Sequence, residues 1–190
     1  MITIPNSNHI TVEIDSREKY PLPFPTHIHI DHPTKLNSIQ RIAVSTSIVP
    51  LKAGDYRLSE YPNSCIIERK ASQRELAKNL LNLTDSLRQG RAFTKLTSSC
   101  THPYIVLELT PAQLLATIPT SPNSYPSQQY LSEQLVWRLS NLTHKYNLNF
   151  IFAGSLNSQT SRLKLGTLLL HLMLSIGSAE YISPIQEEKP

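Results

Sequence analysis

The sequence contains few cysteines and no long apolar run. Two cysteines among 190 residues, Cys65 and Cys100, are too few for a disulfide scaffold, and neither has the neighbours of a zinc site. The longest apolar stretch, residues 163 to 176, is interrupted by charged and polar side chains and cannot span a membrane. The N-terminus lacks a basic segment followed by an apolar one, so no secretory signal is expected. These absences favour a reducing compartment inside a cell.

Charge and hydrophobicity are both moderate. Eighteen basic against 14 acidic residues give a net charge of +4, a bias too small to imply nucleic-acid binding by itself. Hydrophobic residues make up 39% of the chain, which is enough for a core and argues against wholesale disorder. We therefore expect one domain over residues 8 to 178, followed by a polar tail over residues 179 to 190.

Hydrophobic periodicity predicts strands first and then an alternation of strands and helices. Ser72 and Glu75 suggest a capped helix start, and leucines at intervals of three and four predict that this helix runs to Arg88, with Gly90 ending it. This order favours an α/β domain whose mixed central sheet is flanked by helices on both faces. The predicted strands are 10–15, 26–30, 42–49, 64–68, 104–109 and 149–153; the predicted helices are 72–88, 91–96, one beginning at 110, 128–146 and 161–176; and 117–127 is predicted to be a loop.

Three groups of charged residues stand at the predicted ends of strands. Asp15, Arg17 and Glu18 follow the first strand, and Asp55 lies in a Gly-Asp-Tyr turn. Glu68, Arg69 and Lys70 join a strand to the long helix. Glu68 and Lys70 are two residues apart, so on one strand their side chains point to the same face.

Such an arrangement suits the hydrolysis of a phosphodiester. Magnesium prefers hard oxygen ligands and keeps several waters, so one or two protein carboxylates are sufficient. The metal activates a water, and a nearby lysine orients or deprotonates it. Restriction-endonuclease-like active sites have this pattern, an Asp followed later in the chain by Glu-x-Lys. Each short motif taken alone is usually a solvated run of charges or a simple turn.

Four motifs in order carry a more specific resemblance. They are Val12-Glu-Ile-Asp-Ser-Arg-Glu18, Leu51-Lys-Ala-Gly-Asp-Tyr56, Ile67-Glu-Arg-Lys70 and Gly90-Arg-Ala-Phe93. Together they resemble the nuclease domain of the XPF-type structure-specific endonucleases, most closely the short bacterial and phage members. The resemblance implies a three-layer α/β, restriction-endonuclease-like fold.

The resemblance also implies roles for individual residues. Asp55 and Glu68 would bind Mg²⁺ or Mn²⁺, with the backbone carbonyl of Arg69 as a further ligand, and Lys70 would act on the water. The group Asp15, Arg17 and Glu18 would complete the acidic site and contact the phosphate.

Two departures from the family pattern are evident. The family often places an Asp four residues after the Glu-Arg-Lys motif, whereas this chain has Arg74 there and Glu75 next, so Glu75 either substitutes for that Asp or only caps the helix. Eukaryotic relatives usually carry a tandem helix-hairpin-helix module and dimerise, but only about a dozen residues follow Ile176 here. We therefore expect the DNA-binding surface to be provided by the chain's own surface, by the second subunit of a dimer or by a protein partner.

Basic residues concentrate beside the predicted site. Seven of the 18 fall between positions 69 and 95, and positive charge there would position a DNA backbone without reading bases. The alternative for each is a solvated helix face. The candidate DNA contacts are Arg74, Lys78, Arg88 and Arg91.

A second metal chemistry is also suggested by the sequence. His27, His29, Asp31 and His32 match the His-x-His-x-Asp-His motif of metallo-β-lactamase-like zinc hydrolases. That fold needs later ligands and a longer chain, so a polar edge strand is the preferred interpretation.

The sequence thus predicts an Mg²⁺- or Mn²⁺-dependent endonuclease for branched or flapped duplex DNA, in repair or recombination. The alternative is a non-catalytic DNA-binding or scaffold subunit of a nuclease heterodimer. We expect an intracellular location, in the cytoplasm or nucleoid of a bacterial or phage system and in the nucleus of a eukaryote, with no membrane partner.

Overall fold

The computed structural model of the protein describes residues 8–32, 38–118 and 128–180. Within these residues seven strands form one sheet, and five helices pack on it. Residues 119–127 of the predicted loop and 181–190 of the predicted tail lie outside the described part. The strands are β1 (His9–Asp15), β2 (His27–Asp31), β3 (Ile39–Val49), β4 (Tyr56–Leu58), β5 (Cys65–Lys70), β6 (His102–Leu107) and β7 (Asn149–Phe152), and the helices are α1 (Gln73–Leu81), α2 (Leu83–Thr97), α3 (Pro111–Leu115), α4 (Gln128–Tyr146) and α5 (Gln159–Glu180).

The sheet is mixed, as the sequence predicted, with the order β2-β3-β1-β4-β5-β6-β7. β4 runs antiparallel to both β1 and β5, so these two strands point the same way. β5, β6 and β7 are parallel to one another. The C-terminal ends of β1, β5 and β6 therefore meet at one edge of the sheet, which brings Asp15 and the Glu68–Lys70 segment together.

Apolar residues alternate between the two faces of the central strands. Cys65 and Ile67 of β5 join the core under α5, whereas Ile66 joins the core under α1, α2 and α4. This period of two is the ordinary consequence of strand geometry. The sheet is thus enclosed between two layers of helix, and the predicted three-layer α/β fold is confirmed.

The predicted long helix from Ser72 to Arg88 is wrong in its extent. The chain breaks at Asn82, whose extended backbone ends α1 and whose side chain accepts a hydrogen bond from the Asp85 backbone N–H to cap α2. The break turns Leu83 and Leu87 outward, where they are 76% and 62% exposed. Gly90 does not end a helix either, because α2 continues through it to Thr97.

The polar histidine-rich segment forms the edge strand β2, as preferred on sequence grounds. Its His27 and His29 rings pack edge to face with centroids 5.4 Å apart. Across residues 8–32, 38–118 and 128–180, no three His, Cys, Asp or Glu side chains are grouped so as to hold a metal ion. The same part of the chain contains no helix with the length and apolar character that a membrane crossing requires.

Candidate active site

A cleft of about 520 Å³ opens at the sheet edge where β1 and β5 end. We call it the carboxylate cleft, because it brings together the acidic residues of the three separate sequence groups. It also includes five basic side chains. Its charged lining residues are Asp15, Glu18, Asp55, Glu68, Glu75, Arg17, Lys19, Lys52, Arg69 and Lys95.

Asp55 is held directly beside Glu68 by two backbone contacts to β5. The N–H of Asp55 donates to the carbonyl of Ile67 at 2.7 Å, and the Asp55 carboxylate oxygen Oδ2 accepts from the N–H of Arg69 at 2.7 Å. These bonds lie on either side of Glu68 in the strand. The carbonyl of Asp55 in turn accepts from the Asp15 N–H at 2.9 Å, which ties the turn to the end of β1.

The turn before Asp55 depends on Gly54. Its φ of +72° is one that other residues rarely adopt, and an added Cβ would lie 2.3 Å from Cγ2 of Ile66 and 3.0 Å from the Ile67 carbonyl oxygen. A larger residue would therefore push the turn away from β5. This close approach is what sets the position of Asp55 next to Glu68.

We expect Gly54→Ala to lower the free energy of unfolding by about 3 kcal/mol, through left-handed backbone strain and overpacking against β5. Urea denaturation measures the change. Gly154→Ala is the matched control, because Gly154 has a φ of +71° but its added Cβ would meet only Thr110 Cγ2 at 3.8 Å. The control should cost roughly 1 kcal/mol, from the backbone alone. Equal losses would show that β5 does not constrain the turn.

Glu68 and Lys70 contact each other on the face of β5 that carries Ile66. Lys70 Nζ donates to Glu68 Oε1 at 2.6 Å, and the Lys70 side chain is only 8% exposed. The spacing of two residues thus brings an acid and a base together, as predicted. Burial alone would lower the pKa of Lys70, but the neighbouring carboxylates, Glu68 first, outweigh it and leave that pKa raised.

The Asp55 carboxyl lies in an unfavourable electrostatic environment. Burial, followed by repulsion from Glu68, raises the pKa of Asp55 to about 7, against the lowering effect of the hydrogen bond from Arg69. Asp55 and Glu68 together form a pair of hard oxygen donors whose mutual repulsion a cation would relieve. These are the side chains of the cleft that could hold a metal.

The Arg69 side chain lies on the other side of the strand. Its guanidinium forms ion pairs with Glu18, at 3.3 Å, and with Glu108, and Nη1 donates to the Tyr20 carbonyl at 2.6 Å. Glu18 is therefore engaged with Arg69. The expected use of the Arg69 backbone carbonyl as a ligand stays a prediction.

Asp15 and Arg17 form a compact pair at the end of β1. Asp15 is 3% exposed and Arg17 is 69% exposed, and their ion pair measures 2.5 Å. Arg17 Nη2 also donates to the carbonyl of Leu51 at 3.0 Å. Asp15 thus anchors an exposed cation at the mouth of the cleft.

Glu75 is both a helix-capping residue and a neighbour of Lys70. Its N–H donates to Ser72 Oγ at 3.1 Å, and its Oε2 accepts from the Ala71 N–H at 3.0 Å. Its Oε1 lies 3.6 Å from Lys70 Nζ. Glu75 can therefore both cap the helix and stand in for the Asp of the family pattern.

The four candidate DNA contacts lie outside the carboxylate cleft. Arg74 and Lys78 are exposed on α1, and Arg88 on α2 is 67% exposed and pairs with Asp85 at 3.0 Å. Arg91 lines a separate groove between α2 and α4. Their role in DNA binding stays a prediction.

Sequence reasoning gave no role to three cleft cations, Lys19, Lys52 and Lys95. Lys52 lies within the Leu51–Tyr56 motif, two residues before Gly54, and Lys95 lies one helical turn beyond Ala92, which also lines the cleft. These lysines could have been found by examining every basic residue within or next to the four motifs.

Comparison with known proteins gives the fold. No family model and no curated protein sequence matches the chain. Among solved structures, XPF from Aeropyrum pernix matches with a TM-score of 0.51, 18% identity and 91% of this chain covered. XPF from the same organism in complex with DNA matches with a TM-score of 0.52, 18% identity and 92% covered. The chain spans 66% of the length of either XPF structure, and it has an XPF-type, nuclease-like fold.

Proposed function

We propose that the protein is a divalent-metal-dependent endonuclease that hydrolyses phosphodiester bonds at branched or flapped duplex DNA, in repair or recombination. The observation that carries the proposal is that Asp55 and Glu68 line one cleft, with Lys70 hydrogen-bonded to Glu68. A DNA substrate implies an intracellular location for the protein.

Asp55 and Glu68 are the residues that would hold Mg²⁺ or Mn²⁺, together with the Arg69 backbone carbonyl. Both carboxylates are hard donors, and two are sufficient for an ion that keeps several of its waters. The ion would supply a polarised water and offset the charge of the scissile phosphate. The raised pKa of Asp55 supports the fit, because it reflects negative charge crowded at the place where a cation would bind.

Lys70 would act as a hydrogen-bond donor at Nζ rather than as a base. Its raised pKa keeps it an ammonium at neutral pH, and its 2.6 Å bond to Glu68 fixes its direction. An ammonium held there orients the attacking water and stabilises the charge that develops on the phosphate oxygens.

The cations of the cleft would bind the DNA backbone. Arg17, Lys19, Lys52 and Lys95 surround the carboxylates and would counter their repulsion of phosphates. One of the similar XPF structures is a complex with DNA, which supports the same partner for this chain.

The proposed function is tested by nicking of a labelled fork or flap DNA with Mg²⁺ or Mn²⁺, compared with EDTA, for wild type and Asp55→Asn. We expect cleavage by wild type only when the metal is present, and none above background for the variant. Asn keeps an oxygen that can accept the Arg69 N–H but loses the charge that binds metal. DNA binding without cleavage would favour the non-catalytic scaffold subunit instead.

The same variant gives a readout that does not depend on activity. The folded state holds the Asp55 proton up to a pKa of about 7, whereas the unfolded chain releases it near the ordinary aspartate pKa of 3.8, so this group makes stability fall as pH rises between these values. Asp55→Asn should therefore raise Tm at pH 8 by several degrees, at roughly 2–4 °C per kcal/mol, and leave it unchanged near pH 4. Adding Mn²⁺ at pH 8 should raise the Tm of wild type but not of Asp55→Asn. Equal shifts would place the metal elsewhere.

A further inference from the structure

A second groove, of about 480 Å³, lies between α2 and α4, on the same face of the sheet as Ile66 and the proposed catalytic residues Glu68 and Lys70. We call it the α2–α4 groove. It combines basic walls with apolar and aromatic residues. Its lining residues that matter below are Leu80, Leu87, Arg91, Arg138, Lys145 and Tyr146.

The groove is positively charged. Arg91, Arg138 and Lys145 line it, and none of the described residues that line it is an Asp or a Glu. Arg138 Nη1 donates to the carbonyl of Leu80 at the end of α1, which holds the guanidinium in place while its other N–H groups can donate to a ligand. Three cations without a counter-charge in the lining suit a polyanion.

The groove is also lined by apolar and aromatic residues, beside the polar Ser86, Thr94 and Asn141. Leu87 is 62% exposed, and the Phe93 and Tyr146 rings lie with their centroids 5.9 Å apart. The ammonium of Lys145 lies 5.1 Å from the Tyr146 ring centroid. Duplex DNA presents sugars and phosphates to such a surface, whereas a single strand also presents unpaired bases that stack on aromatic rings beside cations.

The groove and the carboxylate cleft are separated by one helix. α2 contributes Ala92 and Lys95 to the cleft, and Arg91 and Phe93 to the groove. A helix with its side chains is about 10–12 Å across, a distance covered by roughly three to four nucleotides at the 3.4 Å spacing of one strand. A strand leaving the cleft would thus reach the groove within a few nucleotides.

We propose that the α2–α4 groove is a binding site for single-stranded DNA, with Arg91, Arg138 and Lys145 on the phosphates and Tyr146 beside the bases. The inference rests on the proposed nuclease function, because the groove would bind the unpaired strand of a DNA substrate that is cut in the carboxylate cleft. It adds α4 to the DNA-contacting surface.

The test is fluorescence anisotropy in EDTA with a labelled single strand of about 12 nucleotides and a duplex of the same length. The variant is Arg91→Gln/Lys145→Gln, whose two side chains are both exposed. We expect roughly tenfold weaker binding of the single strand, and a slope of log K against log salt that is shallower by roughly one to one and a half. Duplex affinity should change much less.

The matched control is Arg41→Gln/Lys164→Gln, which removes the same charge from exposed positions on β3 and α5. We expect at most about a twofold effect from this control. If both variants lose the same affinity for the single strand, the effect is one of net charge and the proposed site is refuted. The site is also refuted if the groove variant loses as much affinity for the duplex as for the single strand. Unchanged DNA binding with an altered sedimentation coefficient would make the groove a contact between copies of the chain. The assay involves neither metal nor cleavage, so each of these results is independent of the test of the nuclease function.

Discussion

Replacing Glu68 by Gln is expected to reduce DNA cleavage on the order of 10³-fold, which corresponds to about 4 kcal/mol of transition-state stabilisation. Gln has the same shape and can still accept the hydrogen bond that Lys70 Nζ donates at 2.6 Å. The loss would therefore come from the missing negative charge beside Asp55. Single-turnover nicking of a fork substrate at saturating protein measures it.

Glu75→Gln is the matched control for this prediction. Glu75 lines the same cleft and lies 3.6 Å from Lys70 Nζ, but its Oε2 is engaged by the backbone of Ala71. We expect less than about a tenfold loss, in keeping with a residue that caps α1 and tunes Lys70. A loss as large as that of Glu68→Gln would make Glu75 a third carboxylate of the metal site. Full activity in Glu68→Gln would refute the proposed site.

The two variants should also differ in metal affinity. Titration of Mn²⁺ against cleavage rate should give a much higher half-saturating concentration for Glu68→Gln than for Glu75→Gln, because only the former removes a proposed ligand. DNA binding in EDTA should be retained in both. This pattern separates loss of the metal from loss of the substrate.

The centre of the site was predictable because local geometry controls it. Glu68 and Lys70 meet because side chains two apart on a strand share a face. The same rule places Arg69 on the opposite face, where it pairs with Glu18 and Glu108. The resemblance grouped Arg69 with the catalytic residues, whereas the strand period alone separates its side chain from Glu68.

Other features depended on competing local signals or on distant parts of the chain. The leucine spacing continued past Asn82, but the capping bond from Asp85 N–H to Asn82 offered the backbone a better alternative to one long helix. The α2–α4 groove unites Arg91 with Arg138 and Lys145, which are far from it in the sequence. Only the packing of α4 against α1 and α2 brings these three residues together, and no sequence motif predicts that packing.

The second large effect is expected for Arg69→Met, which should lower the free energy of unfolding by about 3 kcal/mol. The Arg69 side chain is 6% exposed, and its partners Glu18 and Glu108 are 14% and 9% exposed. Removing the guanidinium leaves two carboxylates in a poorly solvated place without their cation. The Tyr20 carbonyl also loses the donor at 2.6 Å, although Arg162 Nη2 still donates to it at 2.7 Å. Urea denaturation at pH 7 measures the change.

Two further variants separate a structural role of Arg69 from a catalytic one. Arg74→Met removes an exposed arginine five residues away and should change stability by less than about 0.5 kcal/mol. Arg69→Met/Glu108→Met should recover part of the lost stability, because it also removes one unpaired carboxylate. The backbone N–H of residue 69, which binds Asp55, is retained in every variant at that position. Cleavage by the folded fraction of Arg69→Met should therefore stay within about tenfold of wild type, whereas a 10³-fold loss in folded protein would assign the guanidinium to the chemistry.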